Sequence, residues 1–209
     1  MSKFKIIILS VLGFAVIAGL TMWHYLVSFH SITLNVKGEV TSIVYKVIDN
    51  KDQPSLKNIK STVALSLQNG QYCVKPTDTK YDTSAICFTV QNKDMSITID
   101  PDYSANYLEQ LLITQIDQIN SVITTKYGPI IDSYTLIGGV LYGKGEWYGT
   151  TLTEKVAPSD RGDIYRVLLE KKGNSWVIIA YPQIVLSKFD YPQVPFTVLS
   201  DVNKLLGVY

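Results

Sequence analysis

Between Ile6 and Val27 (residues 6–27) the chain reads IIILSVLGFAVIAGLTMWHYLV without one charged side chain, and no other stretch constrains its fold as strongly. About 22 residues at 1.5 Å each match a hydrocarbon layer about 30 Å thick, where a helix satisfies its own backbone. The run therefore predicts a transmembrane signal-anchor helix over residues 6–28, behind a cytoplasmic tail of residues 1–5. Lys3 and Lys5 precede it and the next basic residue is Lys37, so the positive-inside rule places the N-terminus in the cytoplasm. Trp23 and Tyr25 suit the interfacial aromatic belt, and His24 can snorkel beside them. A competing reading is a signal peptide cleaved after Ala18, at the small-x-small site of Val16, Ile17 and Ala18. The apolar residues that continue to Val27 favour the uncleaved anchor. The expected localisation is a single-pass cell membrane protein with an extracytoplasmic ectodomain and the lipid bilayer as partner through Ile6 to Val27.

Past that run lie all 18 acidic residues and 17 of the 19 basic ones, a formal net charge of about −1. Neither nucleic acid nor an anionic surface finds the basic patch it needs. Tyrosine is abundant at 14 residues, and with frequent Ile, Val and Thr it fits a β-rich ectodomain.

Cys73 and Cys87 lie in QYCVKP and SAICFTV, two strand-like texts joined by a polar loop. If Pro76 and Ser84 end the paired region, Cys73 faces Cys87, Val74 faces Ile86 and Tyr72 faces Phe88, and a cross-strand disulfide is in reach. The alternative is two free buried thiols in a reducing compartment. Before the cysteines, Ile32, Leu34 and Val36 alternate with polar residues up to Lys37-Gly38, and residues 40–48 give a second strand, together a hairpin signal. Residues 50–58, NKDQPSLKN, read as a loop. STVALSL, a turn at Gln68-Asn69-Gly70 and residues 95–99 complete about six short strands, an all-β sandwich over residues 29–101. The LSLQNGQYCVKP text and the hairpin before it resemble PEGA-type and related transthyretin-like surface modules. That resemblance implies a small β-sandwich attached to an envelope protein, with Tyr72 packed on the sandwich face.

From Ser104 the apolar period changes from two to 3.6. Leu108, Leu112, Ile116, Ile119 and Ile123 share one helical face, Asp102 or Ser104 can cap the start, and Gly128-Pro129 predicts the end. Strands follow over residues 134–142, in GKGEWYGTTLTEKV, in DIYRVLLEKK and in SWVIIAYPQIVLSK, the last two around a turn at Gly173-Asn174. Gly138, Gly139, Gly143, Gly145 and Gly149 point to bulges in a curved sheet, since GKGEWYG lacks the Walker spacing and its helix. A short helix begins near Phe196. One long helix packed on a curved antiparallel sheet, an α+β domain over residues 102–209, resembles the cystatin-like folds that include the nuclear transport factor 2 superfamily. That group implies either a single-span envelope component like the inner-membrane bridge of type IV secretion systems, or a small isomerase.

Both histidines, His24 and His30, are expected at the membrane, which leaves the rest of the ectodomain no imidazole for a nucleophile or a metal. No catalytic, cofactor or metal residues are expected. An isomerase-like enzyme would need a carboxylate and an acid in the cone of the α+β domain, for which Asp132, Tyr134, Glu146 and Tyr148 are the candidates. Arg161-Gly162-Asp163 spells an adhesion tripeptide that a turn explains equally well. The absence of an Asn-x-Ser/Thr sequon fits a prokaryotic envelope. The function expected is a membrane-anchored extracytoplasmic binding or scaffold protein, a subunit of an envelope or surface assembly whose partners are other envelope proteins or itself. The alternative is a membrane-tethered small-molecule-binding or isomerase-like enzyme. If the cysteines are bridged, the denatured, unreduced chain takes up no thiol reagent. Labelling of Cys73 or Cys87 before reduction would exclude the bridge.

Overall fold

A computed structural model describes residues 16–19, 21–23, 28–155 and 163–206. The chain divides into two compact units, Met1–Pro101 and Asp102–Tyr209.

The membrane reading is corrected here. Among the described residues no helix is long and apolar enough to cross a membrane. Within the run from Ile6 to Val27, residues 16–19 and 21–23 are helical. The rest of that run lies outside the described residues. The helix Ala105–Ile131 has the length, at 27 residues, but Glu109, Asp117 and Lys126 make it amphipathic. The expected transmembrane layer, the single-pass localisation and the N-in orientation are therefore not supported.

The first unit is a sandwich of two sheets. β1 (Phe29–Val36), β4 (Val63–Gln68) and β7 (Met95–Ile99) form one, in the order β4-β1-β7. β2 (Ser42–Ile48), β3 (Lys51–Ile59), β5 (Gly70–Pro76) and β6 (Ile86–Val90) form the other, in the order β3-β2-β5-β6. Alternation sends Ile32, Leu34, Leu67 and Ile99 from the first sheet, and Val44, Tyr72, Val74, Phe88 and Val90 from the second, into one core. The Tyr72 and Phe88 rings stack with centroids 6.0 Å apart, and the Tyr72 hydroxyl donates to the Gln68 carbonyl at 3.0 Å. On the opposite face of that pairing Cys73 and Cys87 are joined by a disulfide, Cα to Cα 4.0 Å, in the register Tyr72 to Phe88 and Val74 to Ile86.

Two local expectations change. β1 and β2 lie in different sheets, so Lys37-Gly38 starts a crossover and not a hairpin turn. The polar stretch read as a loop is strand β3, which pairs with β2 through a two-residue turn at Asp49-Asn50. Both turn residues have positive φ, 51° and 58°, values that Asp and Asn tolerate and that the right-handed strand twist demands. Pro54 survives in β3 because an edge strand has no second partner for its missing N–H.

The second unit places α1 (Ala105–Ile131) against a meander of β8 (Tyr134–Tyr142), β9 (Trp147–Glu154), β10 (Ile164–Lys172) and β11 (Ser175–Gln183), in the order β11-β10-β9-β8. The Ser104 hydroxyl accepts from the Tyr107 N–H at 3.3 Å and caps the helix. The regular helix breaks at Tyr127 (φ −117°, ψ 15°), and a further turn carrying Pro129 runs to Ile131, beyond the stop expected at Gly128. Lys155 Nζ donates to the carbonyls of Ile131 and Asp132, at 3.4 and 3.1 Å, and closes that end. Ile119, Ile123, Tyr148, Leu152, Val167 and Leu169 form the core under α1. Their strand neighbours Trp147 and Leu168 point to the other face, where α2 (Phe196–Asn203) and residues 186–194 cover them with Leu186, Val194, Val198 and Val202.

Arg166 fastens that second cover. Its guanidinium donates to the carbonyls of Ile164 and Ile184, and to those of Asn203 and Leu205 at 3.1 and 3.3 Å, where the C-terminal end of α2 carries partial negative charge. The Asn203 amide meanwhile exchanges two bonds of 2.8 Å with the Leu186 backbone. Arg166→Met should lower stability by about 3 kcal/mol, because several half-buried carbonyls lose a charged donor. Native-state hydrogen exchange should then quicken at residues 184–205 and stay unchanged in the first half of α1. Uniform acceleration across the unit would contradict this local role.

Candidate functional site

β8 is the edge strand nearest the first half of α1, and its sequence leaves a space there. Ile137 pairs with Thr151 and Val140 with Gly149, so two residues, Gly138 and Gly139, stand opposite the single Thr150. This is a β-bulge. A bulge leaves backbone groups without ladder partners, and β9 supplies substitutes: the Thr150 hydroxyl donates to the Ile137 carbonyl, and the Tyr148 hydroxyl accepts from the Gly139 N–H at 3.0 Å. Tyr148 is 1% exposed. Burial raises its pKa above the usual tyrosine value, and the bonds with Thr150 and Gly139 offset part of that rise.

Positions 105, 108, 109 and 112 follow the i, i+3, i+4, i+7 pattern and turn one stripe of α1 toward this strand. Ala105, Leu108, Glu109 and Leu112 face Gly139, Val140 and Leu141 across a groove of about 330 Å³. Glu109 is its one acid; every other lining side chain is apolar or absent. Val140 is 44% exposed. A second groove of about 280 Å³ lies between α1 and the opposite edge strand β11, lined by Val122, Lys126, Trp176, Val177, Ile178 and Tyr181. Lys126 Nζ stands 5.6 Å from the Tyr181 ring centroid, while the Trp176 Nε1–H donates to the buried Gln115 Oε1 at 3.1 Å. This second groove is the more polar of the two.

The four candidates for an isomerase-like cone do not converge. Asp132 is exposed in the α1–β8 turn and Glu146 is exposed in the β8–β9 turn, at opposite ends of a nine-residue strand that spans about 30 Å. Tyr134 packs edge-to-face on Tyr165 at 5.6 Å, and Tyr148 is committed to the bulge. Among the described residues no carboxylate is buried, and no group of three His, Cys, Asp or Glu side chains could hold a metal ion. Asp163 accepts from the Tyr165 hydroxyl at 3.2 Å, and the other two residues of the Arg-Gly-Asp text lie outside the described residues. Sequence reasoning placed Leu108 and Leu112 in the core stripe of α1; the glycine doublet inside β8 was the signal that part of this stripe borders an opening.

No protein-family model matches the chain, and no curated protein does. Among solved structures it is similar to a DUF3823 family protein from Parabacteroides merdae, at 9% identity over 74% of this chain and 80% of that one, with a TM-score of 0.30. A DUF3823 family protein from Bacteroides ovatus shows 9% identity over 74% and 97%, with a TM-score of 0.25. Likeness this weak carries no site and no activity to this chain. It gives no support to kinship with type IV secretion bridge proteins.

The bulge makes its two glycines unequal. A Cβ on Gly139 would stand 2.3 Å from the Gly149 carbonyl oxygen and 2.5 Å from the Tyr148 ring, whereas one on Gly138 meets nothing within 4 Å. Gly139→Ala should therefore cost about 2 kcal/mol or more, and Gly138→Ala should stay within about 0.5 kcal/mol of the parent. Equal losses in chemical denaturation would show that the register assigned to β8 is wrong.

Proposed function

We propose that this chain is a non-catalytic binding protein, a subunit or scaffold of a multiprotein assembly, that engages its partner through the groove beside β8. The observation that carries the proposal is the make-up of that groove: apolar on both walls, open at a strand edge, and furnished with a single exposed carboxylate. Polar chemistry needs several groups converging on one reacting atom. Recognition needs apolar surface and a few polar groups that orient the ligand. The Cys73–Cys87 bridge supports a working environment in which thiols stay oxidised. The resemblance of the first unit to small surface sandwich modules is in keeping with a part in an assembly. The rival, an isomerase-like enzyme working in the cone, lacks support from geometry, because Asp132 and Glu146 are a strand's length apart and the Tyr148 hydroxyl is already bonded.

A peptide-display selection against the intact chain tests this reading. Selected binders should lose roughly tenfold in affinity for Ala105→Trp, which fills the groove from an exposed position in the first turn of α1, with the melting temperature unchanged. Binders indifferent to Ala105→Trp would move the binding face elsewhere on the molecule.

A further inference from the structure

The two walls of the α1–β8 groove offer different things to a ligand. The helix wall offers side chains, whereas the strand wall offers a sheet edge: β8 ends the sheet, and among the described residues no strand pairs with its outer side. An edge carries backbone N–H and C=O groups that a second extended backbone can meet. At about 330 Å³ the space stands at the small end of ligand pockets, roughly 300–1,000 Å³, and suits one or two side chains better than a whole cofactor.

Acids and bases both flank that edge, but Glu109 is the one charged residue that lines the groove itself. Asp132 stands where β8 begins, Glu109 over its middle and Glu146 beyond its end. Lys155 stands at the start of β8 with its amine donating to the carbonyls of Ile131 and Asp132, and Lys144 stands in the β8–β9 turn, so both ends of the edge are mixed in charge while its middle, at Glu109, is acidic. The bulge sets a limit on length. Regular pairing with β9 resumes at Val140 and runs to Tyr142, so a guest beside the groove finds only a short straight edge.

Building on the binding reading above, we infer that the groove takes a short, extended, basic and apolar segment of another polypeptide. The segment adds as a strand to the outer edge of β8 and lowers a large apolar side chain between Leu108 and Leu112, a form of β-augmentation. Its lysine or arginine lies near Glu109. A second copy of this chain is the poorer occupant. Antiparallel pairing of two β8 edges would leave each copy only the short straight stretch from Val140 to Tyr142, with the bulge bending both edges apart, and β8 itself carries no base to meet Glu109.

Acetylated and amidated hexapeptides that alternate leucine with threonine, ending in lysine or in glutamate, test the inference on the intact chain by NMR titration. The lysine peptide should shift the amides of residues 105–112 and 139–142 and bind at least about threefold tighter than the glutamate peptide, and Glu109→Lys should reverse that order. N-methylation of single peptide amides should weaken binding about tenfold at alternate positions and little at those between, since only every second amide of a strand faces its neighbour. Equal tolerance at every position would overturn strand addition and leave a groove that reads side chains alone, with the broader binding reading intact. Failure of the lysine peptide to shift these residues at millimolar concentration would overturn the inference while the display result stands or falls by itself. Sedimentation showing a dimer that Val140→Lys dissociates would make the occupant a second copy and would overturn it as well.

Discussion

The bond from the Gly139 N–H to the Tyr148 hydroxyl is the point on which the helix side of the second unit turns. A bulge in an edge strand frees backbone groups from the ladder, and where such an N–H is buried without a partner it costs about as much as a lost hydrogen bond. Tyr148 resolves this at the cost of burying its own phenol, and its ring then meets Trp176 edge-to-face at 6.4 Å. Trp176 in turn reaches α1 through Gln115. A chain of contacts thus runs from the bulge on one sheet edge, across β9, to β11 on the other, and sets how closely α1 can lie. Gly139 has to be glycine because the ring and the Gly149 carbonyl occupy the place of a side chain.

β9 explains why the opposite face needed so elaborate a cover. Seven of its eight residues are buried, so Trp147 and Tyr148 point to different layers and neither can face water. Closing the Trp147 side falls to a short helix and an irregular strap, which offer many carbonyls and few donors. Arg166 answers with a planar fork that serves several of them at once, a task a lysine amine performs poorly because its three protons radiate from one atom. With carbonyls as its partners, the guanidinium keeps the strap and α2 in the fold rather than beside it.

What was legible in the sequence is what local periodicity controls. The register around Cys73 and Cys87 followed from a period of two between a proline and a serine, and the observed pairing is the one those limits dictate. The Leu108 to Ile123 stripe marked α1, and glycine doublets marked a curved sheet. What was not legible depends on partners distant in the chain. β3 is polar because side chains on both of its faces meet water, so its alternation vanished and Asp49-Asn50 was the remaining clue. β1 and β2 are neighbours in sequence and belong to opposite sheets, whereas β2–β3 and β5–β6 are hairpins within one sheet, and local alternation reads the same in both cases. The long apolar run at the start satisfied a length and hydropathy test that a transmembrane helix must pass, and the described helices do not pass it. The candidate carboxylates Asp132 and Glu146 shared a sequence neighbourhood and were parted by the length of β8.

The same geometry bears on how the groove can be selective. Its one acid, Glu109, is exposed, and an exposed ion pair contributes about 0–1 kcal/mol, too little to choose among partners unaided. Its apolar walls supply affinity with little preference among large aliphatic or aromatic side chains. Neither source fixes direction or register. A sheet edge does both, because each backbone amide of an added strand either meets a carbonyl or loses its water for nothing, and the bulge leaves few registers in which a short segment can satisfy all of its groups. Selectivity in this groove therefore rests on the irregularity of β8, which is the same irregularity that Tyr148 and Thr150 are spent to maintain.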